Sequence, residues 1–243
     1  MVLLAEITIT FLGSGNAFAP KRYWNSILLE ESILLDVSPI VLPQLKKLNK
    51  RLDRIEYIFI THLHGDHFLG VPFLYLEYYF RTLRVTPLTI IGPLGLELKI
   101  EESFRLCYPD VAEKVNRPFQ VRYFEVPHPG KNEVGDVAFE ALEMKHFIPT
   151  FGYKIRIGGK TVAYSGDTEV CEGLYELARN VDVLILEASF PTGRHEGHLS
   201  IDEINELRKR ISKHTKLVIT HLGEISRISR GVLVAEDLRT FKF

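Results

Sequence analysis

The sequence predicts an α/β fold of packed layers, and three observations carry that prediction. Short apolar runs of strand length alternate with longer stretches of helical periodicity. Hydrophobic residues make up 46% of the 243 positions, enough for a sizeable core. Five of the apolar runs stop at a histidine or a carboxylate: His62, His146, Asp167, Glu187 and His221. Functional groups of α/β proteins gather at strand ends, so the five exits point to one shared site.

Taken in order, residues 6–12 read as a strand running into the tight turn Gly13-Ser14-Gly15-Asn16. That turn could offer backbone N–H groups to an anion, or simply join strand to loop. No Gly-Lys-Ser/Thr follows, so it is not a nucleotide-triphosphatase phosphate loop. Residues 26–30 and 32–35 read as two short strands about Glu31, the second ending in Asp36. Asp36 either caps the next helix or braces the histidine loop as an acceptor behind it. Residues 40–52 read as an amphipathic helix with Lys46, Lys47, Lys50 and Arg51 on its solvated face, and residues 55–60 as a buried strand. Residues 69–83 read as a helix crowded with Phe73, Tyr75, Tyr78, Tyr79 and Phe80. Some of these rings belong to the core, and the rest could form a subunit interface or a pocket wall.

The second half continues the alternation. Strands are expected over residues 88–91, 121–126 and 137–145, with a helix over 94–106. His128, between two prolines, is expected to be exposed. Residues 153–157 and 161–164 form a hairpin over Gly158-Gly159. A helix over 172–179 precedes a strand over 183–186, and a glycine-punctuated loop then carries His195 and His198. Ser200 and Glu203 make a capping box for a helix over 201–212, whose Arg208-Lys209-Arg210 run is a solvated face and whose end is His214. A strand over 217–219 leads to His221, and the tail over 232–241 reads as one last edge strand.

Composition narrows the function. The net charge of -1 gives no basic field to attract nucleic acid. Cys107 and Cys171 suit neither a disulfide framework nor a cysteine metal site. No leader with a cleavage site and no apolar run of about 18 residues stands out, so a soluble cytoplasmic protein is expected.

The chemistry centres on Thr61-His62-Leu63-His64-Gly65-Asp66-His67, where three histidines and an aspartate follow a buried strand directly. Imidazole with carboxylate suits zinc, manganese or iron. So many ligands on one loop suggest two neighbouring metal positions. A closed structural site would favour cysteines, whereas these hard and borderline ligands suit a catalytic pair of ions with open positions.

The histidine loop resembles the signature of the metallo-β-lactamase-fold hydrolases, and His146, Asp167 and His221 continue that family's ligand order. The resemblance covers nearly the whole chain. It implies an αβ/βα sandwich forming a single hydrolase domain over residues 1–243. It also implies one metal on His62, His64 and His146, another on Asp66, His67 and His221, and Asp167 between them. Within the superfamily the chain resembles the ribonuclease Z branch most. The run Phe59-Ile60-Thr61-His62-Leu63-His64-Gly65-Asp66-His67-Phe68-Leu69-Gly70-Val71-Pro72 is close to that branch's loop, and Leu12-Gly13-Ser14-Gly15 and Leu35-Asp36 sit where its first motifs do. Leu186-Glu187-Ala188-Ser189 resembles its His-Glu-Ala-Thr motif, and His198 matches its catalytic histidine. His195 matches no motif and is expected to be exposed. Ribonuclease Z enzymes carry an arm that grips transfer RNA, commonly inserted between the third-motif histidine and the bridging aspartate. Only 20 residues separate His146 from Asp167 here, which leaves no room for one.

The expected activity is therefore that of a dimetal phosphodiesterase, with zinc the expected metal. A water between two cations loses its proton near neutral pH and attacks phosphorus. Asp66 orients that water, and His198, kept protonated by Glu187, supplies a proton to the leaving oxygen. The expected substrate is a small or nucleotide-type diester. The alternatives are a transfer RNA 3′-end ribonuclease, a sulfate-ester, lactone or thioester hydrolase, and a non-catalytic metal- or RNA-binding module. The aromatic stretch over 69–83 suggests a homodimer, which the ribonuclease Z resemblance also implies.

Overall fold

Apolar side chains on alternate residues of each strand build two facing sheets. The computed structural model describes residues 6–114, 116–225 and 227–243. The first sheet takes β1 (Thr8–Gly13), β2 (Ser26–Leu29), β3 (Ile33–Leu35), β4 (Tyr57–Phe59), β5 (Leu88–Pro93) and β6 (Val121–Val126). The second takes β7 (Gly130–Val134), β8 (Val137–Met144), β9 (Thr150–Ile157), β10 (Lys160–Tyr164), β11 (Val183–Glu187), β12 (Lys216–Thr220) and β13 (Val232–Val234). A final strand, β14 (Arg239–Lys242), returns to the first sheet beside β1.

The layers follow from which residues each face buries. Ile9, Phe11, Ile27, Leu35 and Phe59 of the first sheet meet Phe139, Tyr153, Ile155, Tyr164 and Ile185 of the second in one inner core. The opposite face of the first sheet is covered by α1 (Val41–Lys47), α3 (Val71–Phe80) and α4 (Leu96–Cys107), through residues such as Leu45, Leu74, Tyr75 and Ile100. The opposite face of the second sheet is covered by α6 (Glu172–Leu177) and α7 (Ile201–Arg208), through Leu174, Leu177, Ile201 and Ile204. The result is the expected αβ/βα sandwich of the metallo-β-lactamase fold.

Strand direction explains why the exits converge. Strands β10, β11 and β12 are mutually parallel. Strand β8 is antiparallel to β9, which is antiparallel to β10, so β8 runs with them. Their exits, which lead to His146, Asp167, Glu187 and His221, therefore open on one edge of the second sheet. The backbone bond from Phe151 N to Thr61 O, 2.9 Å, ties the β4 exit of the first sheet to that edge.

Several elements differ from the sequence expectation. The helix expected over 40–52 stops at Lys47, because Asn49 adopts a left-handed backbone with φ of 53°. The stretch expected as one helix over 69–83 is Val71–Phe80, preceded by the single turn α2 (Gly65–Phe68) that carries Asp66 and His67. Strand β7 and the short α5 (Pro109–Lys114) had no clear signal in their polar sequences. The tail is not one edge strand. Its first part pairs in parallel with β12, and its second pairs antiparallel with β1 in the other sheet. The capping box of α7 and the Gly158-Gly159 hairpin are present as expected, and both hairpin glycines have positive φ. Tyr75, Tyr78 and Tyr79 are buried against Phe104 and Phe119, so most of the aromatic excess expected at a subunit interface is consumed within the chain. Phe80 alone of the five rings is exposed. Among the described residues no helix is long and apolar enough to cross a membrane.

Candidate metal centre

Three of the clustered histidines, His62, His67 and His146, have one ring nitrogen engaged by the protein, which turns the other toward a common point. Thr61 Oγ1 donates to the Asp36 carboxylate and lies 3.0 Å from His62 Nδ1, so Nδ1–H donates to it and Nε2 stays free. His146 Nδ1 donates to Gly197 O at 2.8 Å. His67 Nδ1 donates to Asp36 Oδ2 at 2.8 Å. Such partners behind a ligand fix the ring and its tautomer.

The free nitrogens form two clusters. In the first, His64 Nδ1 lies 3.0 Å from His62 Nε2 and 3.1 Å from His146 Nε2. Ligand nitrogens around a tetrahedral zinc stand about 3.3 Å apart, given metal–nitrogen bonds of about 2.0–2.1 Å. In the second, Asp66 Oδ2 lies 3.4 Å from His67 Nε2 and 3.7 Å from His221 Nε2. Asp167 Oδ2 stands between the clusters, 3.4 Å from His67 Nε2 and 3.9 Å from His62 Nε2. Both triads have the geometry of a group able to hold an ion.

The donor atoms fit divalent metals on independent grounds. His67 Nε2, His221 Nε2 and Asp167 Oδ1 are buried without any hydrogen-bond partner. Burying unpaired polar atoms is costly, and a cation would satisfy all three. Burial, reinforced for His62 by the neighbouring His67, pushes His62, His64 and His146 below the ordinary histidine value, so their lone pairs are available. Burial also drives the proton from His67, yet Asp167 and Asp36 outweigh it and hold that proton on. Positive charge is thus favoured at the point where the second cluster closes. Burial raises the Asp66 and Asp167 carboxyls, but the surrounding histidines outweigh it and hold both well below the ordinary range.

His198 lies beside the two triads, in groups with His146 and Asp167 and with Glu187 and His221 that could also hold an ion. The nitrogen nearer Asp167, Nδ1 at 3.8 Å, is already bonded to Glu187 Oε1 at 2.9 Å. Burial lowers the His198 imidazolium, but Glu187 overcomes this and raises it above the ordinary value. Glu187 is itself fixed, since its carboxylate also accepts from the backbone N–H groups of Thr168, Ser189 and Leu199.

Asp36 braces the histidine loop and does not cap α1, whose N-cap is Ile40 without any side-chain bond. His195 is not fully exposed as expected; its ring stacks on Phe190 at 3.6 Å. His128 and His214 are exposed, as expected, and lie outside the cluster. Sequence reasoning missed a buried relay behind the site. Thr220 Oγ1 donates to Asn25 Oδ1, Asn25 Nδ2 to Tyr164 OH, and Tyr164 OH to Asp36 Oδ2, at 2.6, 2.9 and 2.8 Å. It also missed Ser189, whose Oγ lies 3.0 Å from His221 Nδ1.

A cavity of about 380 Å³ opens over the clusters, lined by His64, Asp66, His146, Asp167, His198 and His221 together with Phe18, Phe147 and Phe190. Among the described residues no lysine or arginine lines it.

Comparison with known proteins places this geometry. Residues 7–227 match the family model described as the anti-Pycsar protein Apyc1. The chain is similar to a ribonuclease Z of Staphylococcus epidermidis, 28% identical over 95% of this chain and 93% of that protein. That alignment runs over 291 positions, more than this chain possesses, so the relative carries segments absent here. A ribonuclease Z of Pyrococcus horikoshii is 30% identical over 88% of this chain and 86% of its own. Among solved structures, human tRNase Z, short form, superposes with a TM-score of 0.78 at 27% identity, covering 96% of this chain and 98% of that one. A diphosphatase of the PhnP family shares the fold, with a TM-score of 0.78 at 21% identity over 98% of both chains.

Proposed function

We infer the activity from the premise that the chain belongs to the family of the anti-Pycsar protein Apyc1 and is a ribonuclease Z-like protein of the metallo-β-lactamase fold. It is a metal-dependent hydrolase. The reading favoured here is a phosphodiesterase acting on a small or nucleotide-type diester, within one hydrolase domain. His62, His64 and His146 would hold one divalent ion, Asp66, His67 and His221 a second, and Asp167 would touch both. Zinc suits the nitrogen-rich set. Bound there, such ions supply Lewis acidity and a nucleophile at neutral pH.

The protein's own groups do the rest. Asp66 reaches the cavity and can accept a proton from water. His198, held by Glu187, presents its free edge to the same cavity and can give a proton to a departing alkoxide. That pair is the observation that carries the reading, because a phosphodiester's poor leaving group needs a proton, whereas a lactone or thioester needs one less.

The small substrate is favoured by the charges. Among the described residues no lysine or arginine lines the cavity, and gripping a folded RNA takes many phosphate contacts. Four members of the basic runs are already paired with carboxylates: Lys46 with Glu77, Lys50 with Glu31, Arg51 with Asp53 and Lys209 with Glu206. The test offers the metal-loaded protein a chromogenic or cyclic diester and a precursor transfer RNA at two salt concentrations. Hydrolysis of the diester with little or no RNA cleavage is expected. Accurate 3′-end cleavage with steep salt dependence would establish the ribonuclease instead. A homodimer remains part of the proposal on narrower ground, since Phe80, Leu83 and Val85 keep half or more of their surface exposed after α3.

A further inference from the structure

The apolar wall of the metal cavity has an unusual make-up. It contains three phenylalanines and Ala17, with no leucine, isoleucine, valine or methionine. The rings come from three separate loops, and they are held unequally. Phe190 has one face stacked on His195. Phe147 packs against His146, with ring centroids 5.0 Å apart, and lies so close to Gly197 that a Cβ there would meet its ring at 2.7 Å. It still leaves 58% of its surface open. Phe18 is 92% exposed.

An exposed phenylalanine is common on protein surfaces and signals nothing alone. The loop that carries this one is unusually well tied. Asn16 Oδ1 accepts from Phe18 N at 3.0 Å, and Asn16 O from Ala19 N at 3.1 Å, which fixes the turn. Asp237 Oδ1 accepts from Ser14 N and Oγ, and its Oδ2 from Tyr23 N, clasping both ends of the loop. Arg22 Nη1 donates to Ser14 Oγ and to Ala235 O. The protein thus fixes the backbone beneath an uncovered aromatic ring at the mouth of the metal centre. Beyond it a larger groove of about 1010 Å³ shares Asn16, Phe18, Ser189 and Phe190 with the cavity, so the ring stands between the two spaces.

Preorganised rings with open faces recognise other flat rings, because stacking needs no directional hydrogen bond and no reordering of the wall. An alkyl or acyl chain would be better served by branched aliphatic residues, which are absent. We propose that Phe18 and Phe147 are specificity-determining residues that clasp the nucleobase of a nucleotide-type diester while its phosphate occupies the metal centre. This rests on the phosphodiesterase reading above. Recognition by stacking tolerates different bases, so the wall selects for the presence of a base rather than for its identity.

The test compares two probes on the metal-loaded protein by calorimetry, adenosine 5′-monophosphate and ribose 5-phosphate, which differ by the base. The wild type should bind the nucleotide about tenfold or more tighter, the usual reach of one base–aromatic stack. Phe18→Ala should lose most of that advantage, Phe18→Leu should lose it as well, and Phe18→Trp should keep it. Phe18 is exposed, so these substitutions leave the core untouched, and ribose 5-phosphate binding should stay constant across them. Equal binding of both probes by the wild type, or unchanged nucleotide binding by Phe18→Ala, overturns the inference. Turnover of bis(4-nitrophenyl) phosphate by the wild type separates the two readings. Its absence with the base preference intact sinks the phosphodiesterase reading alone, and its presence without that preference sinks the aromatic clasp alone.

Discussion

His198 Nδ1 lies 2.9 Å from Oε1 of Glu187, a carboxylate with no exposed surface and three further N–H donors of its own. Because Nδ1 is committed to Glu187, His198 is proposed as a proton donor and not as a metal ligand. His198→Ala should keep its metal and lose about 10²–10⁴ in turnover on an alkyl diester, the usual reach of general acid catalysis. The loss should shrink on a diester with an activated leaving group. Equal losses on both substrates would end the proton-donor assignment, and lost metal would make His198 a ligand.

Metal content tests the two triads. The purified protein should hold about two divalent ions per chain. His62→Ala and Asp167→Ala should lose one or both, together with turnover. Asp36→Ala touches no proposed ion but frees His67 Nδ1, so affinity should weaken by about 10–100-fold. Full turnover in a chelated, metal-free sample would refute the centre.

Assembly is tested by sedimentation at micromolar concentration. The exposed Phe80, Leu83 and Val85 should lie in a dimer interface, and Val85→Asp should shift the protein toward monomer. A monomeric wild type would dispose of the interface.

Stability should fall at alkaline pH. Burial pushes the Tyr75 and Tyr78 hydroxyls well above the ordinary tyrosine value. In the unfolded chain they lose their protons near pH 10, while the folded chain retains them. The folded state then binds more protons, so unfolding becomes easier as pH rises past about 10. Tyr78→Phe loses one bond, to Leu52 O at 3.1 Å, and should be less stable at pH 8. Its decline between pH 8 and pH 11 should nevertheless be shallower, read from urea midpoints. Parallel declines in both proteins would contradict the account.

The convergence of His62, His146, Asp167 and His221 was legible in the sequence because each follows an apolar run, and parallel strands deliver their ends to one edge. Pairings between distant, chemically ordinary residues were not. Asn25, Tyr164 and Thr220 carry no local signal, yet they form the relay to Asp36. Gly197 contributes only its carbonyl to His146, an atom every residue has. The aromatic surplus of α3 was visible, but α4 and Phe119, which cover it, lie a sheet strand or more away in sequence. The tail misled because residues 232–241 have the composition of one strand, and nothing local marks the crossing between sheets.

That crossing has a temporal meaning. Thr240 Oγ1 meets Thr10 Oγ1 across 230 positions, and Asp237, between the tail's two strands, clasps the Phe18 loop. Contacts of such separation form late, since the loop they close is nearly the whole chain. During synthesis the histidine loop emerges long before the tail, so the mouth of the pocket cannot set until residues 237–240 have left the ribosome. The histidine loop is therefore made long before the residues that tie down the Phe18 loop, so the entrance takes shape after it.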